Sequence, residues 1–412
     1  MKHKKSQLKP ELLSPVSDFV SLKAAIDAGC DAVYFGLKEL NMRVTAKNFD
    51  LFQLPKIVKK CHANKHKEVK AYLALNSIIY NNELERVERI IDQAKRAKVD
   101  AIICWDPAVI DKVRKAKIPL HISTQASVSN IDSAKFYKRL GAKRIILARE
   151  LSLKQIAEIR KKAGIEVECF VHGAMCVSIS GRCFMSQFTF GRSANRGDCL
   201  QPCRRGYDVY RLKDTEEGFE FELGNNYVMS PKDLCALPFL DKLVSAGIDS
   251  FKIEGRARSP EYVKVATECY REAIDACVKR EFTQQVRDRL MKKLETVYNR
   301  GFSSGFFLGK PIGDWTTPTP NTKATEKKVF VGIVKNYYKK PSVAEIRLQA
   351  GSIRIGDTVM FQGPTTGIVE HTITSIEINR KKANEARKGT SPGIKIEGIV
   401  RKNDRVFVIS KR

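Results

Sequence analysis

Residues 68–105 read EVKAYLALNSIIYNNELERVERIIDQAKRAKVDAIICW and combine two hydrophobic periods. The segments Glu68–Leu75 and Val99–Trp105 are short and nearly continuous in apolar residues, which is typical of strands buried on both faces. Between them, Glu83–Lys98 carries apolar residues at helical spacing. This order predicts two neighbouring parallel strands with the helix as their crossover.

The same unit repeats from residue 11 to residue 171, and an eighth strand follows later in the chain. The predicted strands are Glu11–Ser14, Ala32–Gly36, Glu68–Leu75, Val99–Trp105, Pro119–Thr124, Arg144–Ala148, Glu166–Val171 and Ser250–Glu254. Eight such strands favour an α/β fold of the (β/α)8 TIM-like barrel type, with a doubly wound open sheet as the alternative. Ser17 is predicted to cap the first helix, Ser17–Ala28.

Three other segments depart from this pattern. A cysteine-bearing insertion, about residues 172–235, interrupts the barrel after the seventh strand, and the barrel domain is expected to span residues 1–310. Residues 311–327 are rich in Thr and Pro and predict a linker. Residues 328–412 contain short alternating strands separated by turn residues, which predicts a small antiparallel β-barrel.

The charge balance indicates a polyanionic partner. The chain has 74 Lys and Arg against 46 Asp and Glu, a net charge of +28. Basic side chains next to phosphates release counterions, so nucleic acid is favoured, with general solubility as the alternative. No apolar run is long enough for a bilayer, and no signal-peptide core follows the basic N-terminus. We therefore expect no membrane association and a cytoplasmic location.

The 11 cysteines fall into two groups. Those that lie singly in apolar segments are interpreted as buried side chains: Cys30, Cys61, Cys104, Cys169, Cys269 and Cys277. The clustered set is Cys176, Cys183, Cys199, Cys203 and Cys235. The spacing of Cys176 and Cys183 is too wide for a zinc knuckle, although Cys199 and Cys203 alone permit zinc. Widely spaced thiolates suit an iron–sulfur cluster, with zinc and merely buried cysteines as alternatives.

Residues 168–186, ECFVHGAMCVSISGRCFMS, resemble the signature of peptidase family U-32, the collagenase-like peptidases, at every fixed position. MRVTAKNF (42–49), ANRGDCLQPCR (194–204) and SFKIEGRARSPEYV (250–263) resemble further motifs of the family. The likeness covers about residues 10–310. Related members hold a [4Fe-4S] cluster on four cysteines. The resemblance therefore implies the following ligands here: Cys176, Cys183, Cys199 and Cys235, with Cys203 as the alternative to Cys199.

The resemblance also implies an activity. Members similar in length and C-terminal barrel are tRNA uridine hydroxylases, which convert wobble uridine to 5-hydroxyuridine with prephenate, and not molecular oxygen, as the source of the hydroxyl. The expected partners are tRNA and prephenate, and the expectation extends to a second U-32 subunit. Residues 328–412 resemble the second-domain barrel of translation elongation factors, which commonly touch tRNA.

Three alternative functions stay open. The first is the historical peptidase activity, which the sequence disfavours because it contains no HExxH motif and no Ser/His/Asp or Cys/His set in a sensible order. The second is hydroxylation of another RNA or of a small aromatic substrate, and the basic charge favours the RNA. The third is a non-enzymatic RNA-binding protein in which the metal is structural.

Polar residues that follow the predicted strands supply the candidate site, because such barrels place their chemistry at the C-terminal strand ends. Arg256 and Lys252 are expected to hold a dicarboxylate such as prephenate, and Glu254 to transfer a proton. A mutual ion-pair network is the alternative role for these three charges. His172 completes the catalytic candidates. The candidate substrate-binding residues, which in such places often only order loops, are Arg43, Asn76, Gln125, Glu150 and Arg204.

Overall fold

The computed structural model describes residues 9–63, 67–179, 181–208, 212–213, 216–218, 220–221, 226–227, 229–310 and 322–412. The helices are α1 (Phe19–Asp27), α2 (Leu54–His62), α3 (Leu84–Arg96), α4 (Pro107–Lys115), α5 (Ile131–Arg139), α6 (Leu153–Ala163), α7 (Met185–Phe190), α8 (Leu240–Ser245), α9 (Pro260–Lys279) and α10 (Gln284–Glu295). None of these described helices is both long and apolar enough to cross a lipid bilayer.

The strands fall into two regions of the chain. Those of the N-terminal region are β1 (Glu11–Pro15), β2 (Ala32–Gly36), β3 (Lys70–Ala74), β4 (Ala101–Cys104), β5 (Leu120–Ile122), β6 (Ala142–Ile146), β7 (Glu166–Gly173), β8 (Leu212–Lys213), β9 (Glu220–Phe221), β10 (Asp233–Cys235), β11 (Ser250–Ile253) and β12 (Phe302–Ser303). Those of the C-terminal region are β13 (Glu326–Tyr338), β14 (Val343–Leu348), β15 (Ser352–Arg354), β16 (Thr358–Gly363), β17 (Gly367–Thr372), β18 (Ile376–Ile378), β19 (Lys381–Ala383), β20 (Glu385–Arg387), β21 (Gly393–Lys395) and β22 (Arg405–Lys411).

Eight parallel strands close into a barrel. They follow one another from β1 to β7, and β11 then pairs with both β7 and β1. In this register Ser250 lies opposite Glu11 on one side and opposite Glu168 on the other. The TIM-like barrel predicted from the sequence is confirmed, and the open doubly wound sheet is excluded because the sheet closes on itself.

The sequence periods explain why these segments form strands and helices. All five residues of β2 are buried, as expected for a parallel strand covered on both faces. Helix α3 is amphipathic instead, because its buried residues Val87, Ile90, Ile91 and Ala94 recur at helical spacing while the other face is charged. The outer faces of the strands share one hydrophobic core with the helices, and side chains inside the barrel form a second, smaller apolar cluster.

The first helix begins two residues later than predicted, at Phe19. Asp18, and not Ser17, is its N-cap: the Asp18 carboxylate accepts a hydrogen bond from the Ser21 amide at 2.8 Å. The Ser21 hydroxyl in turn accepts from the Asp18 amide at 3.1 Å, which completes a capping box. The prediction failed because both neighbours are residues that favour this position.

The insertion after β7 returns to the sheet through β10. This strand runs antiparallel to β7, with Cys235 opposite His172, and parallel to β12. The Arg300 amide, just before β12, also donates to the Asp233 carboxylate at 3.2 Å. The insertion is therefore anchored on one side to the barrel and on the other to a strand that follows the barrel in the chain.

The C-terminal region forms an antiparallel half-barrel sheet, as the sequence predicts. Its strands follow the order β17, β16, β22, β13, β14, β21, β18 and β19, and β15 pairs separately with β20. Ile346 and Phe361 are fully buried in its core. The strand β13 begins at Glu326, inside the predicted linker 311–327, of which residues 311–321 lie outside the described part of the chain.

The half-barrel sheet packs against the outer surface of the barrel. Ala24 of α1 forms a small apolar cluster with Met360, Ile368 and Phe407 of the sheet. An ion pair between Lys328 and Glu261, with Nζ and Oε2 at 2.8 Å, lies at the same contact. The sheet is thus attached away from the ends of the barrel strands and leaves them free for chemistry.

Replacing Phe361 with alanine is expected to lower the free energy of unfolding by about 3–5 kcal/mol, because a fully buried ring leaves a cavity in the sheet core. The matched control is Ile399→Ala in the same sheet region, where the side chain is exposed, and its expected effect stays within about 0.5 kcal/mol. Urea unfolding monitored by circular dichroism measures both values. Equal effects of the two substitutions would contradict the assignment of this core.

Candidate functional site

A cavity of about 140 Å³ lies at the C-terminal ends of the barrel strands. Tyr34 and Phe170 line it from the barrel, and Met175 and Pro202 line it from the insertion. Parallel barrels place their substrates at this end, because the loops after the strands converge there. The insertion therefore covers the barrel mouth and forms the second wall of the candidate site.

The cavity collects 11 of the residues predicted for the site. They are Arg43, Asn76, Gln125, Arg204, Lys252, Glu254, Arg256, Cys176, Cys183, Cys199 and Cys203. Three predicted residues, Glu150, His172 and Cys235, are not in its lining. Glu150 is exposed, whereas the other two are buried elsewhere.

His172 lies among aromatic rings outside the cavity. Its ring centroid is 5.8 Å from that of Tyr262 and 5.4 Å from that of Tyr270, and both tyrosines belong to α9. Burial, helped by Arg258, lowers the pKa of His172 to about 3, so the imidazole is neutral at physiological pH. The pairing of β7 with β11 shifts register between Phe170 and His172, so strict alternation along β7 does not predict where this side chain points.

Cys235 is also separated from the other clustered cysteines. Its Sγ lies 3.8 Å from the Tyr270 hydroxyl and 3.8 Å from the Met291 sulfur, in the core behind β10. Burial raises the pKa of this thiol to about 12. Cys203, by contrast, faces the cavity together with Cys199. The structure thus brings together both cysteines between which the sequence left a choice, and moves Cys235 away from them.

The cysteine loops are held by specific backbone contacts. The Cys183 amide donates to the Asn195 side chain at 3.0 Å, and the Gln201 amide donates to the Cys199 sulfur at 3.4 Å. Gly197 adopts a positive φ of 84°, and a Cβ there would lie 2.0 Å from the carbonyl oxygen of Asn41. Only glycine permits this close approach, which presses the cysteine loop against the barrel.

The four thiols at the cavity are of the donor type that holds an iron–sulfur cluster. Burial raises the pKa of Cys203 to about 11, and Arg204 acts in the opposite direction. Metal binding to such thiols displaces their protons. Among the described residues, no three or more His, Cys, Asp or Glu side chains are gathered tightly enough to hold a metal ion as they stand. The residues fit a cluster by their sulfur chemistry and their common cavity.

Lys252 is neutralised by a carboxylate in the barrel interior. Its Nζ lies 2.8 Å from Oε1 of Glu168, which is fully buried. Arg144 approaches the other carboxylate oxygen of Glu168 at 3.3 Å and also pairs with Glu11. These charges form a network below the cavity, and its partners are Glu168, Arg144 and Glu11 and not the neighbours Glu254 and Arg256 that the sequence gave as the alternative.

Glu254 and Arg43 form a second ion pair, at the cavity itself. Arg43 Nη2 lies 3.1 Å and Nε 3.3 Å from Oε1 of Glu254. Burial alone raises the pKa of Glu254, but Arg43, Arg258 and Arg149 outweigh this and hold the pKa below its ordinary value of 4.5. Glu254 is therefore an ionised carboxylate that can accept a proton.

Three further arginines at the cavity have no carboxylate partner among the described residues. Arg256 is only 4% exposed, and its Nη1 donates to the Asn41 side chain at 2.9 Å. Arg149 stacks on Phe170, with its guanidinium carbon 3.9 Å from the ring centroid, and donates to a backbone carbonyl at 2.8 Å. Arg204 donates to the Ser230 hydroxyl at 3.3 Å and to backbone carbonyls. The cavity therefore has an excess of positive charge, which favours an anionic ligand.

Sequence reasoning did not include Arg149 among the site residues. Its position just beyond β6, directly after the predicted strand Arg144–Ala148, marks it as a polar residue at a strand end, but it was not selected among the candidates. Two predicted residues are occupied with structural contacts instead: Asn76 donates to the Gln125 side chain at 3.2 Å and accepts from the Met42 amide at 3.2 Å. These two amides order the loops around the cavity.

Comparison with known proteins agrees with this geometry. Residues 17–317 match the sequence profile of peptidase family U32. The chain belongs to peptidase family U32. Among its U32 relatives, an uncharacterized protease of Methanocaldococcus jannaschii is 44% identical over 410 residues, which cover 97% of this chain and 98% of the relative. A collagenase of Porphyromonas gingivalis is 39% identical and covers 98% of each chain. The tRNA hydroxylation protein P1 of Bacillus subtilis is 35% identical over 89% of this chain and 87% of its own.

In this U32 protein, Glu254→Gln is expected to lower the free energy of unfolding by about 1–3 kcal/mol at neutral pH, because Arg43 loses its carboxylate. The pKa of Glu254 is lower in the folded than in the unfolded chain, so its stabilisation is complete above pH 4.5 and is lost as the pH falls through the folded value. The difference between wild type and variant should therefore shrink on acidification.

Urea unfolding at neutral pH and at a series of pH values below 4.5 measures this difference. The exposed Glu150 provides the matched control, and Glu150→Gln is expected to leave both stability and its pH dependence within about 0.5 kcal/mol of wild type. A constant difference between wild type and Glu254→Gln across the pH range would contradict the ion pair.

Proposed function

We propose that this U32 protein is an RNA hydroxylase that converts the wobble uridine of tRNA to 5-hydroxyuridine, with prephenate as the hydroxyl donor. The observation that carries the proposal is one cavity in which four thiols face three guanidinium groups without a described carboxylate partner. The net charge of +28 and the likeness to a tRNA hydroxylation protein support RNA as the substrate.

The excess of positive charge in the cavity suits a donor with two carboxylates. Arg256 and Arg149 approach from the ends of two barrel strands, while Arg204 approaches from the insertion. A guanidinium binds a carboxylate through two parallel hydrogen bonds, which fixes the orientation of the ligand as well as its affinity. Because Lys252 and Arg43 are already paired with Glu168 and Glu254, the three unpaired arginines are the groups we assign to donor binding.

Cys176, Cys183, Cys199 and Cys203 would hold the cluster, because all four line the same cavity. When bound, an iron–sulfur cluster supplies electron-transfer chemistry at the cavity wall. Cys235 is left out of this set since it lies in the core against Tyr270. The proposed ligands thus replace one of the four cysteines that the family resemblance implies.

The residues of the chain orient the reactants and accept a proton. In the overall reaction the uridine C5–H bond and the donor C–O bond break, a C5–O bond forms, and the donor, reduced by two electrons, takes up the hydrogen. We assign to Glu254 the role of a general base that transiently accepts the proton from C5, because its carboxylate is ionised and is held by Arg43. A uridine must leave its stacked position to reach this buried carboxylate.

Nucleoside mass spectrometry of total tRNA tests the proposal. A strain that lacks the gene should lose 5-hydroxyuridine, and expression of the wild-type chain should restore it. Glu254→Gln is the informative variant, because it removes the proton acceptor while keeping the size of the side chain. An unchanged nucleoside profile in the deletion strain would contradict tRNA hydroxylation by this protein.

Peptidase activity is the second candidate, because two relatives carry the names protease and collagenase. In the part of the chain that the structure describes, no serine or cysteine is hydrogen-bonded to a histidine, and His172 lies outside the cavity. We therefore expect no cleavage of casein or denatured collagen by the purified protein. Cleavage that is lost on a substitution at the cavity would establish this second function instead.

A further inference from the structure

A second cavity, of about 370 Å³ and more open than the first, adjoins the thiol-lined cavity. The largest side chains that line it are those of Trp105, Arg182 and Phe184. Both cavities share the residues Met42, Gln125 and Gly181. A Cβ at Gly181 would lie 2.4 Å from the Met42 methyl carbon, so only a thin layer of atoms separates the two spaces.

The walls of this cavity combine flat rings with a cation. The indole of Trp105 is fixed because its Nε1 donates to the backbone carbonyl of Asn76 at 2.9 Å. The guanidinium of Arg182 lies 5.1 Å from the centre of that indole, and its Nη2 donates to the carbonyl of Gln125 at 2.7 Å. Among the described residues, no carboxylate pairs with Arg182. An indole and an unpaired guanidinium held in place form a surface on which a base stacks.

The aromatic surface continues outward from the cavity. Phe184 is 61% exposed and Phe188 is 84% exposed, with their ring centroids 5.8 Å apart. Tyr80 is 56% exposed and lies under the guanidinium of Arg196 at 4.3 Å, and that guanidinium is also paired with Glu83. Exposed rings interleaved with arginines are typical of surfaces that bind unpaired nucleotides.

We propose that the second cavity binds the base of an unpaired nucleotide next to the uridine that enters the thiol-lined cavity. The inference rests on the proposed function, since it takes RNA as the substrate. The shared wall supports it, because neighbouring nucleotides of one strand must occupy neighbouring spaces. Phe184 and Trp105 stack on the base, and Arg182 contributes a planar cation.

The test measures the affinity of the purified protein for an RNA hairpin whose unpaired loop contains one uridine, by fluorescence anisotropy. Phe184→Ala is expected to weaken binding about 10-fold, as loss of one stacking contact does. The matched control is Phe136→Ala on α5, an exposed ring on the outside of the barrel, which should change nothing. Both side chains are exposed, so neither variant should unfold.

Abasic nucleotides in the loop make the test specific. Removing the base beside the uridine should weaken binding to the wild type about 10-fold and should weaken binding to Phe184→Ala no further. Equal losses in wild type and variant at every loop position would overturn the proposal. Unchanged RNA affinity of Phe184→Ala together with a changed sedimentation coefficient would also overturn it, and would assign the surface to a protein partner.

Failure of the subsite and failure of the proposed function give different results. In one case, tRNA nucleosides are unchanged in the deletion strain, but the abasic nucleotide beside the uridine weakens binding to the wild type and not to Phe184→Ala. The subsite is then supported and uridine hydroxylation is contradicted. In the other case, 5-hydroxyuridine is lost in the deletion strain, but abasic nucleotides weaken binding to the wild type and to Phe184→Ala equally at every loop position. Hydroxylation is then supported and the subsite is overturned.

Discussion

Replacing Cys203 with alanine is expected to abolish binding of the proposed cluster and the proposed uridine hydroxylation, whereas replacing Cys235 with alanine should leave both in place. Cys203 faces the cavity that also contains Cys176, Cys183 and Cys199. Cys235 packs in the core against Tyr270 and Met291, so its loss removes only a small buried side chain at about 1 kcal/mol of stability. A cluster that loses one of its four thiolates is not retained as such.

Two measurements on the same pair of variants decide this prediction. The first is the iron and sulfide content of anaerobically purified protein, with the visible absorption of the bound cluster as a direct readout. The second is the amount of 5-hydroxyuridine in tRNA of the complemented deletion strain. If Cys235→Ala contained no iron while Cys203→Ala contained iron, the ligand set that the family resemblance implies would be correct instead.

Arg256→Ala is expected to reduce hydroxylation by roughly 10²–10³-fold, because loss of one partner of a buried charge pair costs about 2–5 kcal/mol and each 1.4 kcal/mol is tenfold. The guanidinium is buried at the cavity, and burial lowers its pKa to about 10, which still leaves it charged at neutral pH. Arg256→Lys should recover little activity, since an ammonium group cannot form the paired hydrogen bonds of a guanidinium.

The measurement is the fraction of 5-hydroxyuridine in tRNA at limiting prephenate, with the iron content determined on the same preparations. Arg289→Ala serves as the control, because Arg289 forms an exposed ion pair with Glu272 on the outer helices and should not affect activity. Activity of Arg256→Ala equal to that of Arg289→Ala would remove Arg256 from donor binding. Loss of iron from Arg256→Ala would indicate a structural role instead.

The barrel could be predicted from the sequence because each of its strands is buried on both faces. Such a strand appears in the sequence as a nearly continuous run of apolar residues. The same reasoning placed Lys252, Glu254 and Arg256 together, since residues that follow parallel strands meet at one end of a barrel. The antiparallel sheet of the C-terminal region was equally visible as alternation between turns. These inferences need only local patterns.

The remaining features depend on contacts between distant residues. The position of Cys235 follows from the antiparallel return of β10 to β7, which no local pattern records. The orientation of His172 follows from a register shift between β7 and β11. Arg149 is notable for lacking a described carboxylate partner, and that property exists only in the folded chain. Sequence reasoning could therefore find the end of the barrel that carries the site and most of the side chains that line it, but not that His172 and Cys235 lie outside the cavity.

The anchoring of β10 to β12 also has a consequence for biosynthesis. A chain leaves the ribosome from its N-terminus, so the cysteine loops emerge before β11, which closes the barrel, and before β12, which holds the far side of β10. Until residue 303 has been synthesised, β10 lacks its contact with β12, and the insertion is held only by its contacts with the barrel. The insertion is therefore expected to gain its last anchor only after all eight barrel strands have been made.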